Sequence, residues 1–217
     1  LTQGAFVAFL WQPPPEANCD EGDGEQAVAR YCLNACVLGH SLARSGSCLN
    51  RVLMHTPATV TFLDHSGWRV LLELFGWRLV LADEVDVSEA LLTQCRPKFR
   101  GAFVKLRALG LEEYKRVVLL DLDLLARQCI DDLADPEAFQ APTAVARVND
   151  RNRELHPGDT LCSRDFFDDT GKQRYGINAG VVVLDTAKDD LEQMLASLRD
   201  PRDRSHVATR GPEQDWL

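Results

Sequence analysis

The sequence predicts a layered α/β fold, and three observations carry that prediction. Short apolar runs alternate with amphipathic stretches along most of the chain. One run, Val117-Val118-Leu119-Leu120, is apolar at every consecutive position, as a strand covered on both faces must be. The length, 217 residues, suits a single domain over residues 1–217 that can bury a core without disulfides or a structural metal.

The elements follow in order. Ala5–Trp11 is an apolar run far shorter than the roughly 20 residues of a membrane-spanning helix, with no basic leader before it. It reads as a buried first strand, and no membrane segment is expected. Gln12–Gln26 holds three consecutive prolines and then Asp20, Glu21 and Asp23 among glycines, a composition for a surface loop. Val28, Tyr31, Cys32, Ala35, Leu38 and Leu42 recur at three- and four-residue steps and predict a helix. Arg51–His55 is the second strand. Thr56-Pro57 starts a helix, with Thr as cap and Pro at the first helical position. That helix carries Phe62, Val70, Leu71, Leu74 and Phe75 and breaks or kinks around Ser66-Gly67. Trp77–Leu81 is the third strand.

Pro97 opens a further helix with Phe99, Ala102, Phe103 and Leu106 on one face. Arg116–Leu120 is the fourth strand and belongs at the centre of the sheet. Ala141–Arg147 and Gly176–Asp185 are further strands, and the polar stretch Asn149–Lys172 between them is expected as loops over one edge. The last helix, Thr186–Arg199, buries Leu191, Met194, Leu195 and Leu198.

Charge narrows the function. Asp and Glu number 33 against 24 Lys and Arg, a formal net charge of −9. Nucleic acids and anionic membranes are bound through clustered cations, so no nucleic-acid partner is expected. The 7 cysteines are odd in number and include no CxxC pair, which excludes zinc-type spacing and argues against a secreted disulfide framework. With no Asn-x-Ser/Thr sequon either, the expected location is cytoplasmic, with the Golgi lumen as the alternative.

The sharpest chemical feature is Asp121-Leu122-Asp123, directly after the apolar strand. Ligands of open α/β sheets bind beyond the carboxyl ends of the strands. Residues i and i+2 of an extended chain point the same way, so both carboxylates can face one hard cation that bridges to a diphosphate. A solvated acidic pair at a strand end explains the same residues without function. So does a haloacid-dehalogenase-like phosphatase with the first Asp as nucleophile, although Leu124-Leu125 stand where that family shows Gly-Thr. The second feature is Ile177-Asn178-Ala179-Gly180 ahead of Val181-Val182-Val183-Leu184-Asp185. It is either a small-residue bend feeding a strand or a close backbone approach to a ligand, with the Asn178 amide supplying hydrogen bonds.

Taken in order, Asp121-x-Asp123, then Asn178-Ala179-Gly180-Val181-x-Val183-Leu184-Asp185, then Gly211-Pro212-Glu213-Gln214-Asp215-Trp216-Leu217 resemble glycosyltransferase family eight, the glycogenin-like and galactinol-synthase-like enzymes. Tyr31 with Val37-Leu38-Gly39-x-Ser41-Leu42 resembles the family's first helix, and Arg96-Pro97 precedes Lys105-Leu106 by the family's interval. The resemblance implies a fold of the GT-A type, a mixed, mostly parallel sheet flanked by helices. It implies a metal-dependent transferase that moves a hexose from a UDP-sugar to a hydroxyl acceptor with retention at the anomeric carbon. Asp121 and Asp123 would hold Mn²⁺ or Mg²⁺. Phe9, Tyr31, Arg96, Lys105, Leu122, Asn178 and Ala179 would surround the donor, with Tyr31 stacked on the uracil. Lys105, Glu213 and Gln214 would lie at the reacting sugar. A second copy of the chain is a further partner compatible with the resemblance. A sugar-nucleotide-binding domain without catalysis fits the same residues.

Two departures from the family stand out. The Pro-rich acidic loop before Tyr31 replaces the family's Thr-Asn segment that contacts uridine. The family's His-x-x-Gly-x-x-Lys segment, whose His completes the metal site, is expected beyond Leu217.

Overall fold

The computed structural model describes residues 2–12, 24–93, 97–135, 137, 147–148, 153–154, 180–186 and 188–202. The elements are β1 (Thr2–Leu10), α1 (Gly24–Arg44), β2 (Asn50–His55), α2 (Val60–Ser66), α3 (Trp68–Leu74) and β3 (Trp77–Leu81). They continue with α4 (Glu89–Leu92), a 3-10 segment over Pro97–Gly110, β4 (Tyr114–Leu120), β5 (Arg147–Val148), β6 (Arg153–Glu154), β7 (Val181–Asp185) and α5 (Lys188–Arg199). Among the described residues one sheet of 5 strands runs in the order β3-β2-β1-β4-β7, and β5 and β6 pair separately. β1, β2, β3 and β4 are mutually parallel and β7 is antiparallel to β4, so the sheet is mixed and mostly parallel as expected.

Alternation along the central strands fills both faces. Phe6, Ala8 and Leu10 of β1 pack with Val118 and Leu120 of β4 against α1, α2 and α3, through Val28, Cys32, Leu38, Leu63 and Leu72. Ala5, Val7 and Phe9 pack with Val117 and Leu119 on the opposite face, against Val104 and Ala108 of the 3-10 segment. A segment buried among apolar side chains on both faces reads as an unbroken apolar run, as Ala5–Leu10 of β1 and Val117–Leu120 of β4 do. The reversal in strand order explains the two layers. The first two connections lead outwards from β1 to β3, and the third returns to the other side of β1. Right-handed crossovers then place the returning connection on the opposite face.

Pro57–Thr59 forms a short 3-10 turn ahead of α2. The break expected at Ser66-Gly67 is present: Gly67 caps α2 at φ 77°, a left-handed conformation that suits a residue without Cβ, and α3 starts at the next residue. Of the apolar residues expected there, Phe62 and Phe75 are half-buried against the core, whereas Val70, Leu71 and Leu74 are exposed. The fully buried positions are Leu63 and Leu72, which the periodicity did not mark.

The helix expected from Pro97 forms with 3-10 rather than α geometry. At three residues per turn, positions i and i+3 eclipse. Phe103, Leu106 and Leu109 therefore make one column, packed on Leu91 of α4 and on Leu195 and Leu198 of α5. Ala102, Lys105 and Ala108 make the next column, so Ala102 leaves the Phe103–Leu106 face on which it was expected. α5 buries Leu191, Leu195 and Leu198, with Met194 half-buried against the same cluster. Of the two later strands, Arg147 and residues 180–185 are described, and residues 141–146 and 176–179 lie outside the described residues.

Candidate functional site

β1 and β4 are neighbours from which the chain leaves in opposite directions, so their carboxyl ends border the point where the strand order switches. A cavity of about 250 Å³ opens there. Its walls come from β1 and its end (Phe9, Trp11), from α1 (Tyr31, Asn34), from the 3-10 segment (Ala102, Lys105) and from the end of β4 (Leu120, Asp121, Leu122, Asp123). Residues more than a hundred positions apart thus meet because parallel strands bring their ends to one edge.

The charged end of the cavity is built by β4. The strand stops at Leu120, and Leu122 and Asp123 form a turn. Leu122 turns inwards and is 8% exposed, anchored in the core between the two acids. Asp121 and Asp123 do line one cavity, but through this turn rather than through the i, i+2 alternation of an extended chain. Lys105 is buried, and its Nζ donates to Asp121 Oδ1 at 2.8 Å. A buried ammonium needs such a partner, because desolvating it alone is very costly. The Asp121 side chain is 38% exposed, so it remains open to a ligand from the cavity. Its backbone N–H donates to the Gly180 carbonyl at 2.9 Å, which ties the start of β7 to the acidic turn.

The apolar end carries two rings. Tyr31 is half-buried on α1, packed against the core on one side and lining the cavity on the other. The Trp11 ring centroid lies 6.2 Å from that of Tyr31, with the planes inclined by 31°. Asn34 stands one turn further along α1 and brings an amide to the same wall.

Of the residues expected at a site, Phe9, Tyr31, Lys105, Asp121, Leu122 and Asp123 come together here. Arg96, Asn178, Ala179, Glu213 and Gln214 lie outside the described residues. Trp11, Asn34 and Ala102 were not singled out. Trp11 counted only as the last apolar residue of a strand, although a large ring at the carboxyl end of a central strand is itself a signal. Two carboxylates form a hard oxygen donor set that fits Mg²⁺ or Mn²⁺ with phosphate oxygens completing the shell. Among the described residues no third His, Cys, Asp or Glu joins them.

A larger groove of about 850 Å³ runs between α1, α3 and the segment Leu125–Arg127. Leu33, Val37, Trp68, Leu71 and Phe75 line it, and no carboxylate does.

Set beside known proteins, the chain is 27% identical over 188 residues to the uncharacterized protein R707 of Acanthamoeba polyphaga mimivirus, covering 86% of this chain and 61% of that protein. It is 29% identical over 113 residues to human glycogenin-1, covering 51% of this chain and 31% of that protein. The chain thus spans less than two thirds of the length of the curated relatives it matches. Among solved structures it is similar to mouse xyloside xylosyltransferase 1 in the apo form, at 18% identity and a TM-score of 0.49, covering 98% of this chain and 79% of that one. No family model matches the chain. The sequence relationship to glycogenin agrees with the resemblance carried by the order of the motifs.

Proposed function

We propose that the chain is a glycosyltransferase domain of family eight, with a fold of the GT-A type, that transfers a hexose from a UDP-sugar to a hydroxyl with retention. The observation that carries this reading is the convergence of Tyr31, Lys105, Asp121 and Asp123 on one cavity at the switch point of the sheet. The similarity to glycogenin supports it.

Each end of the cavity matches one part of a sugar nucleotide. Tyr31 offers a ring face to the base. Asp121 and Asp123 would hold Mn²⁺ or Mg²⁺, which when bound neutralises the diphosphate and stabilises it as a leaving group. Lys105 supplies a fixed positive charge beside the same phosphates. Because it is buried and already oriented, it loses little freedom when the charge on the leaving group grows. Leu122 locks the turn that aims both acids. Arg96, Asn178, Ala179, Glu213 and Gln214 complete the assignment from sequence, with Glu213 and Gln214 beside the reacting sugar. The acceptor is a hydroxyl compound, a second copy of the chain is a further partner, and the location is cytoplasmic. Among the described residues no helix is long and apolar enough to cross a membrane.

Linkage provides the test, because a ligand that binds only the folded state raises the melting temperature. UDP should stabilise the chain against heat much more with Mn²⁺ than with a chelator, and Asp123→Asn should abolish the difference. Equal stabilisation with and without the metal would contradict the assignment. Turnover of a phosphate ester without any response to UDP would favour a phosphatase.

A further inference from the structure

We propose that Trp11, seated on the backbone of Gly101, is a nucleobase-contacting residue that extends the Tyr31 ring into a two-ring platform. The proposal rests on the sugar-nucleotide reading and adds a residue and its support to it.

Three features of the cavity lead there. Trp11 directly follows β1 and lines the same cavity as Lys105, Asp121 and Asp123, so one end is charged and the other aromatic. A nucleoside diphosphate has the same division. The spacing of the rings then decides how a base can lie. Carbon atoms in contact sit about 3.5–4.0 Å apart, so a base held between two rings would need them about 7–8 Å apart. At 6.2 Å and 31° the pair is too close to admit one between them. The proposed placement is therefore across the edges of both rings from the cavity that each of them lines.

The seat is specific. A Cβ on Gly101 would lie 2.7 Å from Trp11 Cδ1 and 3.1 Å from its Nε1, so the indole packs directly on the glycine backbone. Gly101 lies inside the 3-10 segment, where alanine is at no conformational disadvantage. A methyl group there acts on the placement of the indole and leaves the chain path alone. Gly101→Ala therefore moves the platform without removing either ring.

The experiment uses the 217-residue chain with Mn²⁺ and two probes, UDP and inorganic pyrophosphate, by calorimetric titration. Pyrophosphate carries the charge of the ligand without its base. Trp11→Ala should weaken UDP about 5- to 150-fold, the range of base–aromatic stacking. It should leave pyrophosphate within twofold. Trp11→Phe should restore most of the UDP affinity, and Gly101→Ala should weaken UDP with Trp11 still present. Trp11→Phe and Gly101→Ala also keep the test open should Trp11→Ala fail to fold. Unchanged UDP affinity in Trp11→Ala or in Gly101→Ala, or equal losses for both probes, would overturn the proposal while the sugar-nucleotide reading stood. A wild-type chain that binds neither probe would overturn both.

Discussion

Replacing Lys105 by Met should weaken nucleotide binding far more than it weakens the fold. Lys105 is 6% exposed, and its Nζ lies 2.8 Å from Asp121 Oδ1. Methionine keeps the length and apolar stem, so the packing of the buried stem survives. The ion pair is lost, and a fully buried pair broken on one side costs about 3–5 kcal/mol. Here the carboxylate left behind is 38% exposed and can be hydrated, which lowers the cost to about 1 kcal/mol. For a chain of this size that is a fall of about 2–4 °C in Tm. Against a bound diphosphate the same ammonium would make a charge-assisted hydrogen bond of about 1.5–3 kcal/mol, or roughly 10- to 150-fold in Kd. Calorimetric titration with UDP and Mn²⁺, beside a thermal melt of the free protein, reads both quantities. A melting point lowered by well over 10 °C with UDP affinity intact would show that Lys105 is a structural cation.

Two further outcomes follow from other pairs. Arg116 of β4 is buried and faces Asp185 of β7 in the ladder, with Nε–Oδ1 at 2.6 Å and Nη2–Oδ2 at 3.3 Å. Asp185→Ala takes the carboxylate from a buried guanidinium that keeps the Asp135 carbonyl at 3.5 Å, and should cost about 2–3 kcal/mol. Arg116→Met leaves only a hydrated carboxylate and should cost about 1 kcal/mol, so denaturant melts giving the reverse order would refute this account of the pair. His55 is buried beside Thr59, and burial, aided by the charge of Arg69, pushes its pKa below the usual 6.5. The unfolded chain therefore takes up a proton first, so this contribution is complete above about pH 6.5 and is lost as the pH falls towards the folded-state pKa. Between pH 7.5 and 5 the wild type should lose more Tm than His55→Asn, and parallel losses would refute it.

The sheet was legible in the sequence because Ala5–Leu10 of β1 and Val117–Leu120 of β4 are apolar at every position, which leaves no other place for them than the centre. The break at Gly67 was legible because a residue without Cβ can take the left-handed conformation that ends α2. Depth was less legible. Apolar residues mark a helix but not what covers each of them, so Val70, Leu71 and Leu74, counted among the apolar residues of that helix, stand exposed on α3. The geometry of Pro97–Gly110 was hidden for a related reason, since steps of three occur in both α and 3-10 patterns and only the packing of Phe103, Leu106 and Leu109 on α5 selects one. At the site, Asp121 and Asp123 announced themselves as paired acids after a strand, and Tyr31 and Lys105 through the resemblance. The Lys105–Asp121 bond and the seating of Trp11 on Gly101 join separate elements, and no local pattern encodes such a meeting.

Crystals grown with UDP and Mn²⁺, measured at the manganese absorption edge, test most directly whether the cavity at the ends of β1 and β4 takes a metal-bound sugar nucleotide. An anomalous peak should appear roughly 2 Å from carboxylate oxygens of Asp121 and Asp123, a distance expected for such small divalent ions, with the uracil against the rings of Tyr31 and Trp11. Manganese at other residues, or UDP lodged in the apolar groove between α1 and α3, would contradict it.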